Sequence, residues 1–266
     1  MTLHYSIQEA CAKKQVIKTI IGIDNFSFVN SIDKIKAAEI AGSTYIDIAA
    51  NVDMLLEAKL FVSLPICVSS ICVQELLACS KAGADMLEIG NFDSFYNKKI
   101  TLTSQDILAM VQELKYRDPE VSICVTIPHV LSIEQQIGLA KQLDKLGIDM
   151  IQTEGWSSKQ ADLVDISDVI RVASATVGNV LALADAVDIP VVASSGISSL
   201  TAPMAISCGA AGVGVGSFFN YFGSGLELSK EINEMKNTMK LNAYSRYNMQ
   251  KYLLEKDRLN ALSKVT

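Results

Sequence analysis

Short apolar runs alternate with amphipathic stretches along nearly the whole chain. The runs at residues 16–24, 44–50, 65–70, 84–90, 121–129, 148–154, 189–196 and 211–216 are rich in Val and Ile and predict eight strands. Helical periodicity between them predicts helices over 32–41, 52–62, 73–82, 105–116, 133–146, 175–187 and 201–208, with a last helix starting after Ser224. Strands that are apolar along their length and separated by helices imply a parallel sheet covered by helices. A glycine follows the helix at four joints, Gly42, Gly83, Gly147 and Gly209, which marks one repeated βα unit. Eight strands favour closure into a single (β/α)8 barrel over an open sheet. The stretch 235–266 is polar and rich in Lys and Asn. The barrel is therefore assigned to 1–234, and a C-terminal helical extension to 235–266, packed on the barrel or on a partner subunit.

Side chains alternate across a strand, so each strand has one set facing the helices and one filling the interior. In the first strand this parity turns Ile17, Ile21 and Ile23 outward, and Lys18, Ile20, Gly22 and Asp24 inward. It also sends Asp47, Glu88, Thr126, Gln152 and Glu154 inward. A barrel interior is normally filled by branched apolar residues, and an unpaired charge there is costly. One lysine among three carboxylates is either a structural ion network or a set with pKa values pushed apart for general acid–base work. Lys18, Glu88 and Glu154 are the candidate catalytic residues, and Lys18 is also a candidate Schiff-base amine if burial lowers its pKa. His129, at the end of the fifth strand, joins them as a proton-transfer residue or stands as a loop histidine bonded to backbone. Asp24, Asp47, Asn91, Thr126 and Gln152 complete the predicted pocket. Trp156 opens a polar loop, 157–168, that either closes over a ligand or packs on the rim.

The last two strands end in glycine- and serine-rich turns. Two such turns side by side gather backbone N–H groups, as barrel enzymes do to grip a phosphate. Ser194, Ser195, Gly196, Ile197, Gly214, Gly216 and Ser217 are the predicted phosphate ligands. Every second residue from Gly212 to Gly216 is glycine, which predicts room beside the eighth strand for a bulky group.

Composition narrows the choices. The 266 residues are 50% hydrophobic, enough for one large core. A net charge of −6 without a basic block argues against nucleic acid and anionic membranes as partners. No run of membrane-span length stands out, and the segment 16–23 is broken by Lys18, unlike a signal or transit peptide. The six cysteines form no C-x-x-C pair, and the histidines are His4 and His129 alone, so buried reduced thiols are expected rather than a zinc site. Asp24, Asp47, Glu88 and Glu154 are oxygen ligands of the type Mg²⁺ takes, but no spacing motif assigns the ion.

The segments Ile89-Gly90-Asn91-Phe92-Asp93-Ser94-Phe95-Tyr96, Ile151-Gln152-Thr153-Glu154-Gly155, Thr201-Ala202-Pro203-Met204-Ala205 and Gly212-Val213-Gly214-Val215-Gly216-Ser217 resemble the family of hypothetical chloroplast reading frame number twenty-three. Its members are encoded in algal plastid genomes and in cyanobacteria, and the likeness runs up to roughly Asn220. The resemblance implies an aldolase-type TIM barrel and a plastid location, the chloroplast stroma, and it implies no particular reaction. Plastid encoding would also account for the missing transit peptide. Three functions are consistent with these features. The first is an isomerase, lyase or synthase acting on a phosphorylated small metabolite. The second is an FMN-dependent oxidoreductase holding the flavin phosphate in the same corner. The third is a non-catalytic phosphometabolite sensor or regulatory protein. A homo-oligomer formed through the extension is the alternative to a monomer.

Overall fold

Eight parallel strands close into a barrel in chain order, each hydrogen-bonded to its sequence neighbours, with β8 returning to β1. The strands are β1 (Val16–Gly22), β2 (Tyr45–Ala49), β3 (Ile66–Ser70), β4 (Met86–Ile89), β5 (Ile123–Ile127), β6 (Met150–Thr153), β7 (Val191–Ser194) and β8 (Gly212–Val215). The helices are α1 (Tyr5–Ala12), α2 (Phe28–Ala41), α3 (Val52–Lys59), α4 (Val73–Lys81), α5 (Ser104–Arg117), α6 (Ile133–Lys145), α7 (Ile166–Ala184), α8 (Ala202–Ser207) and α9 (225–240). This computed structural model describes residues 3–90, 95–96, 99–155 and 165–240. All eight predicted strands are present, and the four joint glycines take the left-handed conformation that ends a helix without a Cβ clash.

Two apolar compartments hold the barrel. The larger lies between strands and helices, where Ile46, Val68, Leu87, Val125 and Ile151 meet Leu55, Leu76, Val111 and Leu139, all at most 1% exposed. The smaller is the barrel floor, built from Val16, Tyr45, Met86, Met150 and Val192. It is closed from below by Leu3 and by Ile7 of α1, an element the apolar pattern does not predict. Burying each of those two side chains contributes about 2 kcal/mol. Cys67 and Cys124 sit in the same floor, and burial holds both thiols well above the usual range. Burial likewise pushes Cys79 up to about 11 and Cys11 up to about 12, as inert reduced thiols require.

Three expectations change. First, Ile20 pairs with Asp47 but Gly22 pairs with Ile48, so β1 carries one extra residue, a bulge, at Ile21. The bulge inverts parity beyond it. Gly22 takes the outward position, and Ile23 turns into the barrel mouth, where a Cβ on Gly90 would lie 2.7 Å from its Cδ1. Second, α7 begins at Ile166, well before the predicted start at 175. Asp165 and Asp168 form a capping box there, so the polar residues that look like a loop up to 168 include the first turn of a helix. Trp156 and the start of that loop lie outside the described residues. Third, α7 is a 19-residue helix of mean hydropathy 1.4, so one segment does reach membrane-span length and composition. It lies in the outer ring, where its Thr176 hydroxyl donates to the Ser195 carbonyl at 2.7 Å.

The last helix, α9, runs unbroken across position 235. Met235 and Met239 are fully buried in the main core, so residues 235–240 belong to the barrel's own final helix. The rest of the predicted extension, 241–266, lies outside the described residues.

Candidate active site

The inward residues of the middle layer carry the charge. Strand parity brings Lys18 (β1), Asp47 (β2), Ser69 (β3), Glu88 (β4), Thr126 (β5) and Gln152 (β6) to one level of the interior. Lys18 Nζ donates to Glu88 Oε2 at 2.6 Å and to Gln152 Oε1 at 2.8 Å, and it pairs with Asp47 Oδ2 at 2.9 Å. Glu88 Oε1 accepts from the Thr126 hydroxyl and from Gln152 Nε2, each at 3.0 Å. Asp47 Oδ1 accepts from Ser69 at 2.5 Å. Every group of the network is thus satisfied, which a buried charge cluster requires.

The electrostatics follow from one cation shared by two acids. Burial alone would lower the Lys18 pKa, but the charges of Asp47 and Glu88 outweigh it and hold the ammonium well above its usual range. The condition for a Schiff-base amine is therefore not met. Lys18 is fully buried beneath the network and does not reach the cavity above it. Asp47 goes the other way. Burial pushes its carboxyl up to about 6, against the pull of Lys18 and with the help of the Glu88 charge. A carboxyl titrating near neutrality is suited to proton transfer.

Above the network opens a cavity of about 300 Å³ at the C-terminal end of the strands. Asp47, Glu88, Thr126 and Gln152 form its polar base. Glu154 lines its wall, and Asp24 stands exposed at its rim. Ser194, Ser195, Gly196 and Ile197 line it after β7, and Gly214, Gly216 and Ser217 line it along and after β8. All seven predicted phosphate ligands therefore share one cavity with the predicted acids. Asn91 lies outside the described residues.

The turn after β7 is built for close approach. Ser195 and Gly196 have φ of 79° and 69°. A Cβ on Gly196 would fall 2.8 Å from the Val172 carbonyl oxygen of α7, so no other residue fits there unstrained. Gly214 and Gly216 line the cavity, and the glycines along and after β8 also make room for β1. A Cβ on Gly212 would sit 2.2 Å from Val16 Cβ, and one on Gly216 would sit 3.2 Å from Ile20 Cβ. Much of the space left by these missing side chains is taken by β1, which packs against the bare strand.

His129 stands behind Glu154 and not on the cavity lining. Its Nδ1 lies 2.9 Å from Glu154 Oε2, and its backbone N–H donates to the same oxygen at 3.0 Å. The Tyr96 hydroxyl donates to it at 2.7 Å, and the Tyr96 ring packs edge-on against His129. These contacts fix the Glu154 carboxylate at the wall. Parity identifies Glu154, and its place at the end of the fifth strand identifies His129, but neither signal finds Tyr96. Both also miss Lys34, a cavity-lining residue at a polar position of α2 that nothing in the pattern distinguishes.

The chain is 37% identical over 242 residues to the uncharacterized protein ycf23 of Pyropia yezoensis, covering 91% of this chain and 89% of that protein. Among solved structures, thiamine phosphate pyrophosphorylase from Pyrococcus furiosus superposes with a TM-score of 0.56 at 17% identity, over 86% of this chain and 98% of that one. A 3-hexulose-6-phosphate synthase superposes with a TM-score of 0.59 at 13% identity, over 84% and 99%. At such identities the two likenesses speak for the aldolase-like TIM-barrel fold alone. Residues 3–245 match the family described as protein of unknown function (DUF561), and with the ycf23 likeness this shows that the chain belongs to that family.

Proposed function

We propose that the barrel binds a phosphorylated small molecule and moves a proton on it, as an isomerase, lyase or synthase. One observation carries this reading: the glycine- and serine-rich turns after β7 and β8 and the acid–amide base around Glu88 line the same cavity. The turns would hold the phosphate, leaving the body of the ligand over Asp47 and Glu88. Asp47, with its pKa near 6, would exchange protons with the ligand, and Glu88 would carry the charge that Lys18 stabilises. Glu154 would act from the wall, oriented by His129 and Tyr96. Two fold neighbours, thiamine phosphate pyrophosphorylase and 3-hexulose-6-phosphate synthase, are named for phosphorylated compounds, which supports the ligand class. Kinship with the ycf23 proteins supports a plastid location, and we assign the stroma.

A volume of about 300 Å³ lies at the small end of ligand pockets and favours a compact metabolite over FMN. The test is a panel of phosphomonoesters, scored for binding and for turnover with the native protein and with Glu88→Gln and Glu154→Gln. Retained binding with lost turnover in the variants supports catalysis. Binding without turnover in the native protein, across the panel, supports the sensor instead. A yellow protein that releases flavin on denaturation overturns both.

A further inference from the structure

Lys34 is the one cationic side chain among the described residues that line the cavity, which also carries Asp24, Asp47, Glu88 and Glu154. It stands on α2, the helix after β1, and β1 is paired with β8. Its Nζ donates to Asn220 Oδ1, in the 3-10 turn Ser217–Tyr221 that follows β8. The ammonium is thereby held against the turn that begins at Ser217, on the same cavity lining as Gly216 and Ser217. Asn220 is neutral, and no described carboxylate forms an ion pair with Lys34. Partial burial lowers its pKa, so this cation is drawn from water without an anion of its own. An arriving anion would supply what the protein does not.

The remaining charged groups among the described residues of the cavity lining are acids. An anionic head beside Lys34 is matched, whereas a second anionic group on the same ligand would face Asp47, Glu88 or Glu154. Like charges brought together out of water repel strongly and disfavour such a ligand. We infer that Lys34 grips the phosphate of a phosphomonoester whose remaining body bears no negative charge. The body is hydroxylated, carbonyl-bearing or amine-bearing, which excludes bisphosphates and phosphorylated carboxylic acids. This inference rests on the phosphate reading of the β7–β8 corner.

The experiment is a ³¹P NMR titration with inorganic phosphate of the native protein, Lys34→Gln and Lys34→Arg. It is followed by displacement with a pentose 5-phosphate, a pentose bisphosphate and 3-phosphoglycerate. Phosphate affinity is expected to fall about tenfold or more in Lys34→Gln and to stay within a few-fold of native in Lys34→Arg. The pentose monophosphate is expected to displace phosphate best. Equal phosphate binding by the native protein and Lys34→Gln overturns the role of Lys34 and leaves the phosphate corner standing. Stronger displacement by the bisphosphate or by phosphoglycerate overturns the claim about the body. A native protein that binds neither phosphate nor any of the three esters overturns the phosphate reading, and this inference with it.

Discussion

Asp47 Oδ2 lies 2.9 Å from Lys18 Nζ, yet the carboxyl is pushed up to about 6 rather than held down. Burial outweighs the pairing, because Lys18 is shared with Glu88, whose own charge opposes ionisation of Asp47. The consequence for stability has a definite sign. Between its ordinary pKa of 3.8 and about 6, the folded state binds more protons at Asp47 than the unfolded chain does. Asp47 therefore destabilises the fold as pH rises through that window, by about 3 kcal/mol once it is complete. Urea midpoints at pH 4 and pH 7 measure this directly. Relative to Asp47→Asn, the native protein is expected to lose stability across the interval, and a relative gain would show that Lys18 dominates instead.

Lys18 is expected to be indispensable to the fold. Lys18→Met leaves two acids facing each other in the interior and should cost about 3–5 kcal/mol at neutral pH. Adding Asp47→Asn and Glu88→Gln removes the stranded charges and should recover much of the loss. If Lys18→Met alone unfolds at the native urea concentration, the network does not hold the barrel interior together.

The two glycine-rich turns should respond differently to substitution. Gly196→Ala forces a Cβ against the Val172 carbonyl at a positive φ and should destabilise the protein by about 1–3 kcal/mol. A Cβ on Gly214 would lie 3.1 Å from Gln152 Oε1 and 3.2 Å from Ser194 Oγ, a tight fit beside the cavity. Gly214→Ala should therefore change stability by less, about 1 kcal/mol, while weakening phosphate-ester binding. Thermal melting and ligand titration of the pair separate the two effects. Equal melting losses with unchanged binding would assign β8 to packing alone.

Much of this was legible in the sequence because strand periodicity is a strong signal. Parity alone, with no motif, sends Lys18, Asp47, Glu88, Thr126 and Gln152 inward, and they form one hydrogen-bonded layer. Parity failed where the backbone departs from it. The bulge at Ile21 moved Ile23 into the mouth, and a bulge leaves no mark in apolar alternation. The start of α7 was hidden because capping residues have the composition of a loop. α1 leaves little periodicity because it is only eight mixed residues, about two turns, with Ile7 alone of them buried. The places of Lys34 and Tyr96 in the site depend on tertiary packing, which local pattern does not encode.

The proposed phosphate lies between Gly196, Gly216 and Lys34, above the layer formed by Asp47 and Glu88. Anomalous diffraction from crystals soaked in tungstate, a phosphate mimic visible by its heavy atom, tests it most directly. A peak is expected at that corner in native crystals, and its loss in Lys34→Gln. A tungstate peak elsewhere on the molecule, with the corner empty in the native protein, would contradict it.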